Sequence, residues 1–180
     1  MKLIVGLGNY PKKYDFTRHN IGFLTLDFLS SQYKFGEWTE NKKMLCDITD
    51  GILFGYESIL IKPRTYMNLS GQSVIKVKNF FKILPQNIIV IHDDIDIAFG
   101  KIKISSSRNS AGHNGVKSIN SVINDPYIRI RIGVGRPEGK EINIANYVLE
   151  KFSEEELKNL HNIFTEVDNK LQTLQPEAYL

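Results

Sequence analysis

Five short polar clusters hold most of the groups able to do chemistry in this 180-residue chain: Asn9; Thr17-Arg18-His19-Asn20; Tyr66-Met67-Asn68; His92-Asp93-Asp94-Ile95-Asp96; and His113-Asn114. They supply imidazoles, carboxylates and primary amides, but no activated nucleophile. Cys46, the only cysteine, sits in an apolar strand pattern with no histidine nearby, and Ser70 lacks the preceding glycine of a hydrolase elbow. The inventory therefore points away from covalent catalysis. It fits a histidine that acts as general base on water, oriented by a carboxylate and assisted by amide donors. Each residue also has an ordinary structural use. A histidine in TRHN can cap a helix, asparagines 9, 20, 68 and 114 can occupy turns, and His161 lies in a helical tail. Asp93, Asp94 and Asp96 offer oxygen ligands of the kind Mg²⁺ takes. DDxD is common in turns, however, and no second carboxylate cluster completes a site, so neither a metal nor a cofactor is expected.

Gly6-Leu7-Gly8 after an apolar strand invites a dinucleotide-binding reading. That fingerprint needs a third glycine opening a helix, and the position holds Pro11, which disfavours helix at Tyr10. An oxidoreductase built on this turn is therefore disfavoured. The glycines are expected to let the chain turn at the strand end and bring Asn9 to a surface.

The elements that must position these groups alternate along the chain. Lys2–Leu7 reads as a buried strand, and residues 20–32 read as a helix with Ile21, Leu24, Phe28 and Leu29 on one face. Met44–Thr49, Gly51–Phe54 and Ser58–Ile61 read as strands, with turns at Asp50-Gly51 and Gly55. Val74, Val77, Phe81 and Leu84 mark a helix stopped by Pro85, and Asn87–Ile91 is an apolar strand followed at once by His92-Asp93-Asp94. Lys101–Ser105 alternates as an exposed strand, residues 105–113 form a polar loop, Asn114–Ile123 is a helix and Tyr127–Val134 a strand. Ser153 and Glu156 make a capping box for a tail helix with Leu157, Leu160, Phe164, Val167 and Leu171 on one face. The expected fold class is α/β: one domain over residues 1–180, with a twisted mixed β-sheet flanked by helices.

Composition narrows the class further. A 42% hydrophobic content with 19 aromatic side chains excludes a disordered chain, and one cysteine excludes an intrachain disulfide. No apolar run approaches a membrane span and the N-terminus is too short for a signal peptide, so a cytoplasmic protein is expected. The net charge of +3 hides an asymmetry: residues 101–140 carry eight basic and two acidic side chains, the last forty three and eight. The basic stretch is either a solvated face or the footprint of a phosphate-bearing partner.

Several segments occur in one register with ordinary spacing: GLGN at 6–9, Tyr14, TRHNIGF at 17–23, KPRTYMNLSGQSV at 62–74, HDDIDIAFGKIKI at 92–104, GHNGVKSI at 112–119 and RIRIGVGRP at 129–137. Together they resemble the bacterial-type peptidyl-tRNA hydrolase family over about residues 1–175. The resemblance implies cleavage of the ester joining a peptide to the terminal ribose of tRNA, which recycles tRNA from aborted translation. It implies His19 as the base on water, Asp93 as the carboxylate that orients it, and Asn9 as the residue that recognises the peptide and rejects free aminoacyl-tRNA. Asn68 and Asn114 match amides at the tRNA end or the peptide, and either amide could face the oxyanion. Tyr14 and Tyr66 match positions at the tRNA 3′ end, and Met67 and His113 line the same crevice.

In the family a lysine and an arginine clamp the tRNA 5′-phosphate region. Arg131 matches the arginine. The lysine position is Ser105 here, so Lys103 or Arg108 is the expected substitute. The implied partner is the acceptor arm and 3′ end of peptidyl-tRNA, with no membrane, no obligate protein partner and a monomeric state. Two departures stand out: Tyr10-Pro11 replaces the usual Pro-Gly, and SSSRNSA at 105–111 replaces a glycine-rich loop. A catalytically silent RNA binder of the same fold is the alternative. The joint presence of His19, Asp93, Asn9 and Asn114 argues against it.

Overall fold

The computed structural model describes residues 1–106, 109–137 and 143–174. Its centre is β1 (Lys2–Gly6), whose residues after Lys2 are buried on both faces of the sheet, as the apolar run requires. Parallel partners flank it: β4 (Tyr56–Pro63) on one side and β5 (Ile88–Asp94) on the other, with β7 (Ile128–Gly133) parallel to β5. Antiparallel strands complete the edges, β2 (Thr39–Asn41) and β3 (Cys46–Leu53) at one and β6 (Ile102–Ser105) at the other. Among the described residues the seven strands run in the order β2-β3-β4-β1-β5-β7-β6.

Helices cover both faces. Leu3, Val5 and Val90 pack under Val74 and Val77 of α2 (Ser70–Phe80) and Val116 and Ile119 of α3 (Asn114–Asn120). On the opposite face Ile4, Ile89 and Ile91 meet Leu26 and Leu29 of α1 (Ile21–Gln32) and Leu160 and Val167 of α5 (Glu154–Thr173). A short helix, α4 (Ile144–Leu149), precedes α5. The expected α/β class with a mixed, helix-flanked sheet is what the chain adopts. The capping box is also present: Ser153 Oγ accepts from the Glu156 N–H, and Glu156 Oε2 accepts from the Ser153 N–H.

Several local expectations are corrected. Asp50-Gly51 is not a turn but part of a continuous β3; a Cβ on Gly51 would come 2.9 Å from the Phe35 ring, so the glycine serves packing. The hairpin turns at Phe54-Gly55, both at positive φ, which agrees with the turn expected at Gly55. The buried face of α1 runs through Ile21, Thr25, Leu26 and Leu29, while Leu24 and Phe28 stand at its margin. α2 ends at Phe80, five residues before Pro85, and Leu84 is exposed. Leu157 likewise faces solvent, and Ile163 takes a place in the core. Gly6 and Gly8 have ordinary φ and act by close approach: a Cβ would meet Gly22 O at 2.5 Å and the Phe23 ring at 2.7 Å. Asn9 consequently comes to rest buried rather than at a surface.

Candidate active site

The strand β5 extends three residues further than its apolar run, so His92, Asp93 and Asp94 lie inside the sheet, all buried. β1 leads to α1 on one face, whereas the chain after β5 returns through α3 on the other. A crevice opens where neighbouring connections diverge in this way. His19, just before α1, and His113, just before α3, reach Asp93 from the two sides.

Asp93 is 2% exposed, and a carboxylate at that depth requires partners. His19 Nδ1 lies 2.8 Å from Oδ1 and 2.9 Å from Oδ2, and His113 Nε2 lies 2.9 Å from Oδ1. Burial raises the Asp93 proton affinity, but the His19 and His113 imidazoles outweigh it and hold the carboxyl well below the usual carboxylate range. Asp93 is therefore an anion.

The proton positions follow from the backbone. His113 is the N-cap of α3, and its Nδ1 accepts from the N–H groups of Gly115 (3.1 Å) and Val116 (3.3 Å). An accepting Nδ1 carries no proton, so the neutral ring bears it on Nε2 and donates it to Asp93. His19 faces the same carboxylate with Nδ1, which becomes the donor. Its Nε2, on the other edge of the ring, has no partner among the described residues. The facing atoms of His19, Asp93 and His113 lie within 4.8 Å of one another, close enough to share a cation. The α3 cap favours the hydrogen-bonded arrangement, because it turns His113 Nε2 into a donor rather than a lone pair.

His19, Asp93, His113 and Asn114 line a cleft of about 400 Å³, walled on its apolar side by Ile95, Ile144, Ala145 and Val148. Asn9 lies one link away. Its N–H donates to Asn20 Oδ1 (2.8 Å), its carbonyl accepts from Asn20 Nδ2 (3.0 Å), and its Oδ1 accepts from the Met67 N–H (3.0 Å). With Oδ1 engaged, the Asn9 amide retains only its NH₂ for a ligand. Met67 is buried against Gly115 of α3, where an added Cβ would meet its sulfur at 2.5 Å. Tyr66 and Asn68 beside it are exposed. Tyr14 lies under the Lys13 ammonium, 4.8 Å from its ring centroid, and no contact among the described residues brings it to His19.

On the far side of β5, Arg131 Nε donates to Asp94 Oδ2 at 2.7 Å. Lys103, exposed on the edge strand, stands directly opposite Arg131. Ser105 stands opposite the buried Arg129, whose Nη2 reaches Ser105 Oγ (3.4 Å) and Asn109 O (2.8 Å). A lysine at 105 would face that guanidinium, a like-charge pair across the strands. Arg108 lies outside the described residues.

A model of the family described as peptidyl-tRNA hydrolase matches residues 3–178. The chain belongs to the peptidyl-tRNA hydrolase family. The curated peptidyl-tRNA hydrolase of Rickettsia rickettsii (strain Sheila Smith) is 48% identical over 160 residues, covering 89% of this chain and 85% of that protein. That of Rickettsia bellii (strain OSU 85-389) is 49% identical over 156 residues, covering 87% and 83%. The crystal structure of peptidyl-tRNA hydrolase from Acinetobacter baumannii superposes with a TM-score of 0.89 at 34% identity, covering 97% of this chain and 88% of that one. The chain is thus a hydrolase of ester bonds.

The roles of several residues around the cleft escape a reading by sequence. Asn20 fixes the Asn9 backbone, and Asp94 holds Arg131. The cleft wall comes from α4, a six-residue helix whose only signal is the Asn143 cap, which accepts from the Ala145 N–H at 2.9 Å. His92 is fully buried, with Nδ1 2.7 Å from the Asp93 carbonyl and Nε2 without a partner among the described residues. Burial, aided by His113, pushes its pKa well below the usual imidazole value, so it stays neutral.

Proposed function

We propose that the enzyme hydrolyses peptidyl-tRNA with His19 as general base, releasing peptide and recycling tRNA from aborted translation. The observation that carries this reading is the His19–Asp93 contact at 2.8 Å, which commits Nδ1 and turns Nε2 away from the carboxylate in a ring that lines the cleft. Nε2 takes a proton from water, and the hydroxide adds to the ester carbonyl. The tetrahedral intermediate collapses, the C–O bond to ribose breaks, and the imidazolium returns the proton to the ribose oxygen. Asp93 stabilises the charged imidazole, a contribution in the range of about 10²–10⁴-fold for base catalysis as a whole. No step requires a metal ion.

Asn9 suits the discrimination of peptide from free amino acid. Its remaining NH₂ donates to a carbonyl oxygen, which a peptidyl group offers, whereas a free ammonium is itself a donor and gains nothing there. Asn114, lining the cleft beside His19, is the better placed of the two amides for the oxyanion; Asn68, Tyr66 and Tyr14 serve the tRNA 3′ end. Lys103 and Arg131, side by side on β6 and β7, take phosphate oxygens, which gives affinity without base specificity. The enzyme works as a monomer in the cytoplasm.

Release of peptide from N-acetyl-aminoacyl-tRNA in EDTA, with unblocked aminoacyl-tRNA as control, tests the reading. Cleavage of the blocked substrate alone is expected. Retained tRNA binding without cleavage would instead identify a catalytically silent RNA binder.

A further inference from the structure

Arg18 stands next to His19 in sequence, yet its side chain points away into the protein and is 8% exposed, an uncommon depth for a guanidinium. Its partners come from far along the chain. Nε and Nη2 fork onto the Glu156 carboxylate at 3.2 and 2.8 Å. Nη1 lies 3.5 Å from both the Tyr147 carbonyl and Glu150 Oε2, and the guanidinium sits 4.3 Å from the centroid of the Tyr147 ring. The backbone follows the same path: the Arg18 N–H donates to Glu150 O (3.1 Å), the Phe152 N–H donates to Phe16 O (3.0 Å), and Thr17 bridges Lys151.

Two of these partners are committed elsewhere. Glu156 Oε2 also accepts the Ser153 N–H at 2.7 Å in the capping box of α5. The Tyr147 hydroxyl donates to Val134 O at 2.9 Å, just beyond β7. One guanidinium therefore joins the segment that carries His19 to α4, which walls the cleft, and to the start of α5. A planar fork in a shielded site constrains geometry in a way that an exposed ion pair does not.

We propose that Arg18 is a positioning residue: it sets the distance and angle between the His19 imidazole and the α4 wall formed by Ile144, Ala145 and Val148. An ester held against that wall then presents its carbonyl to the water on Nε2. The proposal rests on His19 acting as the base. Misplacement by about 1 Å is enough to cost on the order of 10²-fold in rate.

Arg18→Lys keeps the charge and loses the fork. On N-acetyl-aminoacyl-tRNA its kcat is expected to fall about 10²-fold while KM stays within about threefold, since the phosphate contacts lie on β6 and β7. Ser153→Ala is the structural control. It removes half of the α5 capping box without touching the guanidinium and is expected to lower Tm by about 2–4 °C with kcat unchanged. Glu156→Gln provides a second test should Arg18→Lys fail to fold; it preserves shape, weakens the fork and is expected to lower kcat by about tenfold with KM unchanged. A folded Arg18→Lys or Glu156→Gln enzyme with kcat within about twofold of the parent overturns the proposal, as does a loss confined to KM. His19→Ala measured alongside keeps the two readings apart: if it turns over normally, the base assignment fails whatever the Arg18 variants do.

Discussion

His19 and His113 meet on a single atom, Asp93 Oδ1, at 2.8 and 2.9 Å, with ring centroids 4.8 Å apart. The two imidazoles nonetheless differ in kind. Both His113 nitrogens are committed, one to the α3 backbone and one to Asp93, whereas His19 spends only Nδ1 on the carboxylate. In the proposed mechanism that difference separates the base from the residue that steadies its partner.

The base assignment makes His19→Ala inactive, with binding of the tRNA end largely retained. Asp93→Asn should lower kcat by about 10²–10⁴-fold. The same substitution removes the anion that faces His19 Nδ1, and the acid limb of the pH–rate profile should move with it. A full pH profile of kcat/KM checks this; an unmoved limb would remove Asp93 from the orienting role.

His113 has two duties that substitution can separate. Asn is among the best N-cap residues but is too short to hold Asp93, so His113→Asn should keep α3 capped while kcat falls by about tenfold, ~1.4 kcal/mol. His113→Ala loses the cap as well and should be less stable than the Asn variant by about 1 kcal/mol. Urea midpoints and kcat, measured together on both variants, distinguish these outcomes. Equal stability of the two would show that the Nδ1 contacts do not support the helix.

How far the sequence reveals the molecule depends on whether a contact is local. The central strands are apolar runs, and the α5 capping box is a four-residue pattern, so both are readable directly. Gly51 misleads because the Phe35 ring that demands a glycine there is sixteen positions away. The candidate catalytic pair is readable as residue types, but its tautomers are not. They depend on His113 capping a helix, and a histidine is an unusual cap that no propensity anticipates. Lys103 and Arg131 illustrate a third case: strand register pairs them, and register is set by the whole β6–β7 ladder.

His92 makes stability depend on pH. Its pKa is depressed in the folded protein, so the unfolded chain binds the extra proton. The contribution is fully present above the unfolded value near ~6.5 and is lost as pH falls below it. His92→Asn should therefore narrow the difference in unfolding free energy between pH 7.5 and pH 5.5, whatever it costs at pH 7.5. Asp93 acts in a separate window: its depressed carboxyl supports folding above about pH 3.9 and withdraws that support only in stronger acid. Urea titrations of parent and variant at the two pH values supply the comparison, and an unchanged difference would mean that His92 is not buried as a neutral ring.

Lys103 and Arg131 should look alike in binding and differ in folding. On the proposed phosphate role of each, replacing either with Ala should raise KM, leave kcat nearly unchanged and reduce the slope of log K against log [salt] by about 0.9. Lys103 is exposed, and its loss leaves no group uncompensated. Arg131 is the guanidinium partner of Asp94, a carboxylate 4% exposed at its side chain, so Arg131→Ala strands a buried charge. The Arg131 variant should therefore also unfold at lower urea, and Arg131→Ala/Asp94→Asn should recover part of that stability without recovering the salt slope. Recovery of the slope in the double variant would show that Arg131 acts on the fold and not on a phosphate.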